Sequence, residues 1–158
     1  MDERPDGWCA DVEGQRLAEL ARGTVVEIGT AGGRSTSYIL EGSPSHVVCV
    51  DPWPDDGDYN DFVSWSRGRV TPFRGTSETL ARWWEGPIDL LYIDGSHDYE
   101  DVRTDYLAWS PFVAPGGWIG FHDSQWRDVR RVIREDVMAD PWWSKPTVTQ
   151  SLWTAQRG

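Results

Sequence analysis

Three short segments of the sequence combine acidic residues, histidines and glycines in a pattern that suits cofactor binding and proton transfer. A glycine-rich turn covers residues 29–33, Asp94 and His97 lie three residues apart, and His122 directly precedes Asp123. Glycines let a backbone turn sharply and approach a ligand closely. Carboxylates and imidazoles accept protons and bind divalent metals. We therefore take these segments as the candidate site.

The glycine-rich turn follows the apolar segment Val25-Val-Glu-Ile28. Unpaired N–H groups at the start of the following helix attract the negatively charged part of a ligand. Two residues separate Gly29 from Gly32, so the spacing differs from the dinucleotide pattern Gly-x-Gly-x-x-Gly. Glu27 is costly to bury without a partner. A cationic or amine-bearing ligand, an internal salt bridge or a hydrogen-bond network to a backbone amide would supply that partner.

The next apolar segment ends in Asp51, about 20 residues beyond the glycine turn, where α/β nucleotide binders place a carboxylate that holds ribose hydroxyls. This spacing suits NAD and S-adenosylmethionine (SAM) alike. Asp51 is therefore a candidate ribose ligand for either cofactor.

Asp94, His97, His122 and Asp123 follow two further apolar segments. Ligands of open α/β sheets bind outside the carboxyl ends of the strands, and neighbouring strands lie about 4.8 Å apart. We predict a divalent-metal site at Asp94, His122 and Asp123, for Mg²⁺ or Mn²⁺, or for a transition ion if His122 binds. His97 is the candidate general base for a substrate hydroxyl; the alternative is a structural role in its loop.

Short apolar segments alternate with segments of helical length, which is typical of a parallel sheet with crossover helices. The predicted parallel strands are 24–29, 46–51, 69–74, 88–94 and 117–122; the helices are 11–22, 35–40, 58–66, 77–84, 99–112 and 126–138; an antiparallel pair is 146–150 and 152–156. We expect one domain over residues 1–158 with an α/β, Rossmann-like, doubly wound fold. Its seven-stranded, mostly parallel sheet ends in the C-terminal hairpin and has helices on both faces.

Two motifs resemble a known enzyme class. Val26-Glu-Ile-Gly-Thr-Ala-Gly-Gly-Arg-Ser-Thr36, followed by Val50-Asp-Pro-Trp53, resembles the cofactor motifs of class I SAM-dependent methyltransferases. Ile93-Asp-Gly-Ser-His-Asp-Tyr99, followed by Pro115-Gly-Gly117 and His122-Asp123, resembles a metal-assisted O-methyltransferase subgroup that includes macrocin O-methyltransferase and cephalosporin-hydroxylase-like proteins. Antibiotic-tailoring members of the subgroup carry a Glu-Asp pair where this chain has His-Asp.

The resemblance implies SAM as cofactor and methylation of a small-molecule hydroxyl, of a sugar or a phenol, with possible Mg²⁺ or Mn²⁺ assistance. By the same resemblance, Asp51 binds the ribose, Trp53 lies against the adenine face, and Thr76 and Ser77 contact the adenine edge. The implied cofactor-binding residues are Glu27, Gly29, Thr30, Gly33, Ser35, Asp51, Trp53, Thr76, Ser77 and Asp94. The predicted catalytic residues are His97 and Asp94, and the predicted metal ligands are Asp94, His122 and Asp123.

The amino-acid composition limits the classes of partner that this protein is expected to bind. Twenty-six acidic residues against 15 basic ones give a net charge of −11, which disfavours nucleic acid and favours a small-molecule substrate. Without a recognisable membrane span, signal peptide or disulfide framework, we expect a cytoplasmic protein with no membrane partner. Because about 20 residues precede the first predicted strand, we expect a partner subunit of a homo-oligomer, or the Trp-rich loops at residues 55–65 and 140–145, to keep water from the reacting centre.

Two other functions are compatible with the same residues. An NAD-dependent Rossmann oxidoreductase would use the same glycine turn and Asp51. A SAM-binding or scaffold protein without turnover would bind the cofactor but transfer no methyl group. Cofactor titration separates the first alternative from a methyltransferase, and a turnover assay separates the second.

Overall fold

The computed structural model describes residues 4–158. Its strands are β1 Thr24–Ile28, β2 His46–Asp51, β3 Thr71–Arg74, β4 Ile88–Ile93, β5 Val113–Phe121, β6 Trp143–Thr149 and β7 Leu152–Arg157. Its helices are α1 Asp11–Leu20, α2 Arg34–Glu41, α3 Asp56–Ser66, α4 Ser77–Ala81, α5 Tyr99–Trp109 and α6 Arg127–Val132. A 3₁₀ turn, Ser110–Phe112, extends α5, and a π-helical turn, Ile133–Val137, extends α6.

The seven strands form one sheet in the order β3-β2-β1-β4-β5-β7-β6. β1 to β5 run parallel, whereas β7 pairs antiparallel with β5 and β6 pairs antiparallel with β7. This architecture confirms the predicted fold class, including the seven strands and the C-terminal hairpin.

The start of β5 differs from the prediction. The strand begins at Val113, four positions before the predicted start at residue 117, and its pairing with β4 shifts register between Ile88 and Leu90. Pro115 has no N–H to donate to the ladder, and Gly116 has a φ of +83°. The Pro-Gly-Gly segment therefore forms an irregularity inside the strand instead of preceding it.

Two apolar layers cover the two faces of the sheet. On one face, Val26 and Ile93 pack in a cluster that includes Trp109 of α5 and Val132 of α6. On the other face, the side chains of α1, α2 and α3 cover the alternate strand positions. A parallel sheet buried on both faces explains why its strands are continuous apolar segments. No helix within residues 4–158 has the length and apolar character needed to cross a bilayer.

The register brings the ends of four strands to one sheet edge. Ile28 of β1 pairs with Val50 and Ile93, and Ile93 pairs with Phe121 of β5. Backbone hydrogen bonds of 2.7–3.1 Å extend the ladder by one residue beyond this row. The residues that follow the row are Gly29, Asp51, Asp94 and His122.

Candidate active site

A cavity of about 970 Å³ opens at this sheet edge. Its wall includes residues 6–10 ahead of α1 and the segments that follow β1 to β5, with parts of α5 and the β6–β7 turn. The predicted site residues on the wall are Gly29, Thr30, Gly33, Ser35, Asp51, Thr76, Ser77, Asp94, His97, His122 and Asp123. Two other predicted site residues, Glu27 and Trp53, lie outside it.

Glycine is required at two positions of the turn after β1. Gly29 has a φ of +85°, and a Cβ there would lie 2.1 Å from the carbonyl oxygen of Asp94. Gly33 has a φ of +94°, and a Cβ there would lie 2.8 Å from a ring carbon of Phe62. The glycines thus let the turn pass close to the end of β4 and to α3, with a backbone that L residues rarely adopt.

Asp51 fastens this turn to the end of β2. One carboxylate oxygen accepts hydrogen bonds from the backbone N–H groups of Thr30, at 3.1 Å, and Ala31, at 2.9 Å. The other accepts from the backbone N–H of Trp53, at 2.8 Å. The first oxygen already has two donors, whereas the second has one lone pair left, so Asp51 can organise the turn and also accept a hydrogen bond from a ligand in the cavity.

Glu27 lies beneath the cavity and is fully buried. Its carboxyl accepts hydrogen bonds from the hydroxyls of Ser35 and Thr36, each at 2.5 Å, and of Thr30, at 3.2 Å. Burial raises the pKa of Glu27 to about 7, although these hydrogen bonds oppose the rise. The partners of Glu27 in the structure are therefore side-chain hydroxyls, rather than the salt bridge or the backbone amide that the sequence analysis considered.

Trp53 is buried on the far side of the glycine turn. Its indole stacks on Phe62 with ring centroids 5.0 Å apart, and Nε1 donates to the carbonyl of Ala31 at 2.9 Å. It lines a second cavity of about 640 Å³, beside Trp65. This placement does not support the predicted contact with an adenine face in the main cavity, because packing against α3 holds the ring away.

His97 and Asp123 form a hydrogen-bonded pair on the cavity wall. Nε2 of His97 lies 2.9 Å from Oδ2 of Asp123. The indole of Trp126 stacks on the imidazole with ring centroids 4.6 Å apart and an interplanar angle of 25°. A carboxylate at Nε2 favours the tautomer whose Nδ1 carries the lone pair. This pair is thus arranged as an oriented proton acceptor.

His122 has a different environment from the one predicted. Its Nε2 lies 3.1 Å from Glu13, and its Nδ1 lies 3.1 Å from Asp94 and 3.2 Å from Asp123. Burial alone would lower the pKa of His122, but the hydrogen bond and charge of Asp94, with Glu13 and Asp123, raise it to about 9. Both ring nitrogens of His122 therefore lie beside carboxylates, and the ligand atoms that the structure groups together come from Asp94, His97 and Asp123.

Asp94, His97 and Asp123 each offer one ligand atom, and these three atoms lie within 4.8 Å of one another. Two carboxylate oxygens and one imidazole nitrogen suit a divalent cation. Burial raises the pKa of Asp94 against the effect of His122 and of Tyr92, whose hydroxyl donates to Oδ2 at 3.0 Å. The structure therefore groups the two predicted aspartates with His97 as the nitrogen donor.

The sequence analysis did not identify Glu13 and Ser151, which contact His122 beneath this cluster. Glu13 on α1 is buried; besides His122 it accepts a backbone hydrogen bond from Ser151, at 2.7 Å, and one from Ala10, at 3.0 Å. No local signal identifies Glu13, because His122 and Ser151 are 109 and 138 positions away along the chain. Only the tertiary fold unites α1, β5 and the β6–β7 turn.

The strand order, the glycine turn after β1 and the acid at the end of β2 are compatible with a class I SAM-dependent methyltransferase. The family model described as a methyltransferase domain matches residues 26–124. This chain therefore belongs to that methyltransferase family, as the resemblance of its motifs implied.

Comparisons with individual proteins agree with this assignment. The uncharacterised protein y4gI of Sinorhizobium fredii is 39% identical over 124 residues, which cover 66% of this chain and 13% of that protein. An O-methyltransferase from Bacillus cereus in complex with S-adenosylhomocysteine (SAH) has a TM-score of 0.74 at 19% identity, covering 94% of this chain and 82% of that one. The MycE methyltransferase of the mycinamycin biosynthetic pathway, in complex with Mg and SAH, has a TM-score of 0.63 at 17% identity. The match covers 91% of this chain and 48% of the MycE chain. The structural similarities establish the fold.

Proposed function

We propose that this protein transfers the methyl group of SAM to a hydroxyl oxygen of a small molecule. The observation that carries the proposal is the His97–Asp123 pair, 2.9 Å apart, on the same cavity wall as the glycine turn and Asp51. A methyl donor held over the turn and a proton acceptor beside it are the two requirements of O-methylation.

In this proposal Asp51 accepts hydrogen bonds from the ribose hydroxyls, and the glycine turn lies against the methionine moiety. Nδ1 of His97 takes the proton of the acceptor hydroxyl as the oxygen attacks the methyl carbon. Asp123 keeps His97 in the correct tautomer, and stacking on Trp126 fixes the plane of its ring. Bound SAM would supply the methyl group, and cleavage of its C–S bond would leave SAH and the methyl ether.

We also propose metal assistance. Asp94, His97 and Asp123 are the residues that would hold Mg²⁺ or Mn²⁺, because their ligand atoms cluster within 4.8 Å. The MycE structure named above contains Mg and SAH. A bound divalent cation lowers the pKa of a coordinated hydroxyl. His97 then serves as ligand or as base, and a metal titration separates these roles.

The charges of the cavity wall favour a neutral or cationic acceptor. Eight of its lining residues are Asp or Glu, and all three of its basic residues, Arg34, His97 and His122, lie beside carboxylates. The wall also includes Trp8, which is 94% exposed, and Trp126, which is 53% exposed. Indole faces stack on sugar and aromatic rings, so a neutral sugar, an amino sugar or a phenol fits better than a phosphorylated acceptor or RNA.

The test is methyl transfer from isotopically labelled SAM to a panel of sugars, amino sugars and phenols, with and without Mg²⁺ or Mn²⁺. His97→Ala should lower kcat by about 10²- to 10⁴-fold, the usual contribution of a general base, and should change SAH affinity by less than about twofold. His46→Ala is the matched control, since His46 bonds Thr71 at the opposite strand end and should leave both values unchanged. Turnover that survives His97→Ala contradicts the assigned role.

A second candidate function is SAM binding without turnover. It differs from the first only in the assay: SAH binds, yet no acceptor in the panel is methylated and replacement of His97 has no catalytic effect to measure.

A cytoplasmic location and the absence of nucleic-acid and membrane partners remain part of the proposal on grounds of charge and composition.

A further inference from the structure

A network of alternating carboxyl and imidazole groups extends from the protein interior to the cavity. Oε2 of Glu13 lies 3.1 Å from Nε2 of His122, and Nδ1 of His122 lies 3.2 Å from Oδ2 of Asp123. The same oxygen of Asp123 lies 2.9 Å from Nε2 of His97. The exposed fraction of the side chains rises in this order, from 1% to 3%, 20% and 38%. Glu13 is thus the buried end of the network, and His97 is its cavity end.

Glu13 is held in place from two sides. Oε2 accepts a hydrogen bond from the backbone N–H of Ala10, at 3.0 Å, just ahead of α1. Oε1 accepts from the backbone N–H of Ser151, at 2.7 Å, and from the hydroxyl of the same residue in the β6–β7 turn. Because backbone groups of two different segments bind one oxygen each, the plane of the carboxyl is set and Oε2 is held against Nε2 of His122.

Asp123 has a backbone conformation that its contacts must maintain. Its φ is +50°, in the left-handed region, and such a conformation persists where the surrounding structure holds the residue. His122, the residue before it, contacts Glu13 through Nε2 and presents Nδ1 to Asp123 and, at 3.1 Å, to Asp94. The imidazole therefore lies between the buried carboxyl and the carboxylate that orients His97. A displacement of His122 would be passed on to Asp123 and to His97.

The buried part of the network is poorly explained by stability alone. Two ionisable groups lose their hydration here, and well-packed apolar side chains of similar volume are often equally stabilising or better. The hydrogen bonds between Glu13 and Ser151 would by themselves join α1 to the β6–β7 turn. The additional polar side chain of His122, pointing from Glu13 toward the cavity, indicates a role at the cavity end of the network.

We propose that Glu13 is a positioning residue for methyl transfer: it holds His122, and through it Asp123, so that Asp123 keeps His97 oriented as the proton acceptor. This inference rests on the proposed role of His97 as general base. Glu13 acts through two intervening residues, so its replacement should lower kcat and leave cofactor affinity unchanged.

The test is a double-mutant cycle between Glu13 and His97, measured as kcat for methyl transfer. Glu13→Gln keeps the size of the side chain and should lower kcat about 10- to 100-fold, the usual loss when a partner that orients a functional side chain is replaced. SAH affinity should change by less than about twofold. In a His97→Ala background the same substitution should lower the residual kcat by less than about twofold, because no base is left to orient.

Leu17→Ala is the matched control, because it removes a fully buried side chain from the same helix and leaves the network intact. It should lower the melting temperature and leave kcat unchanged. An equal fall in kcat for Glu13→Gln with and without His97 would mean that Glu13 only supports the fold, and would overturn the inference. If Glu13→Gln does not fold, Ser151→Ala removes one donor from Glu13 and should lower kcat about threefold to tenfold; an unchanged kcat is then overturning.

A second readout separates failure of this inference from failure of the proposed function. The ¹⁵N chemical shifts of the His97 ring, measured without acceptor at about pH 8, above the ordinary pKa of histidine, should change in Glu13→Gln. They should keep their wild-type values in Leu17→Ala. A wild-type protein that methylates no acceptor refutes the proposed function, and these shifts then decide the inference: equal values in all three proteins would overturn it.

Discussion

At the scale of single residues, the surroundings of Asp51 and Glu27 give these two carboxyl groups different roles. Asp51 lies on the cavity wall and accepts hydrogen bonds from backbone N–H groups. Glu27 is buried beneath the cavity and accepts hydrogen bonds from side-chain hydroxyls. Asp51 ends one apolar segment and Glu27 lies inside another, and both were predicted to bind the cofactor. Their difference in burial gives them separate tests, one of ligand affinity and one of stability.

Asp51→Ala should weaken SAH binding by at least about tenfold, because it removes an acceptor for the ribose and frees the N–H groups of the glycine turn. Isothermal titration measures the change. Asp55→Ala is the control: Asp55 caps α3 by accepting from Gly57 and Asp58, so its loss should cost about 1 kcal/mol of stability with SAH affinity unchanged. Equal SAH affinity in wild type and Asp51→Ala would exclude Asp51 from the cofactor site.

Glu27 should make the folded protein lose stability as the pH rises. Its pKa is raised from 4.5 to about 7 in the folded state, so the folded state binds the proton more tightly than the unfolded state. Relative to Glu27→Gln, the free energy of unfolding of the wild type should fall by roughly 3 kcal/mol between pH 4.5 and 7 and level off above. Urea denaturation of both proteins across this range measures it. A difference that is independent of pH would contradict the raised pKa.

At the scale of helices and strands, the sequence predicted β2 to the residue because its apolar run is bounded by polar residues on both sides. The irregular start of β5 was not predicted, since Pro115 and Gly116 lie in a register shift that appears only when β5 pairs with β4. The π-helical turn after α6 has no local signal either. The carboxyl ends of the strands were predictable from the sequence, and so was the sheet edge at which the cavity opens. Contacts such as that of Glu13 with His122 were not, because they depend on tertiary packing alone.

The glycine turn provides a test at this scale. Gly29→Ala places a methyl group 2.1 Å from the carbonyl oxygen of Asp94, while Gly68→Ala, also at a positive φ of +74°, meets nothing within 4 Å. Gly68→Ala should therefore lower the free energy of unfolding by only about 1–2 kcal/mol. Gly29→Ala should cost several kcal/mol in the same urea titration and abolish SAH binding. Similar losses in the two variants would show that the close contact between β1 and β4 is absent.

At the scale of the whole molecule, residues 6–10 supply part of the cavity wall and present the exposed Trp8 at its mouth. We continue to expect a homo-oligomer in which a partner covers this mouth and keeps water from the reacting centre. Light scattering coupled to gel filtration should give the mass of at least two chains, and Trp8→Ala should weaken the assembly. A monomer with full methyl-transfer activity would contradict this expectation.

The central claim is that the ends of β1, β2, β4 and β5 form one cofactor site for SAM. Isothermal titration of the purified chain with SAH, and separately with NAD, tests it most directly. The account predicts one SAH bound per chain and no heat from NAD. Binding of NAD without SAH, or of neither, would contradict it.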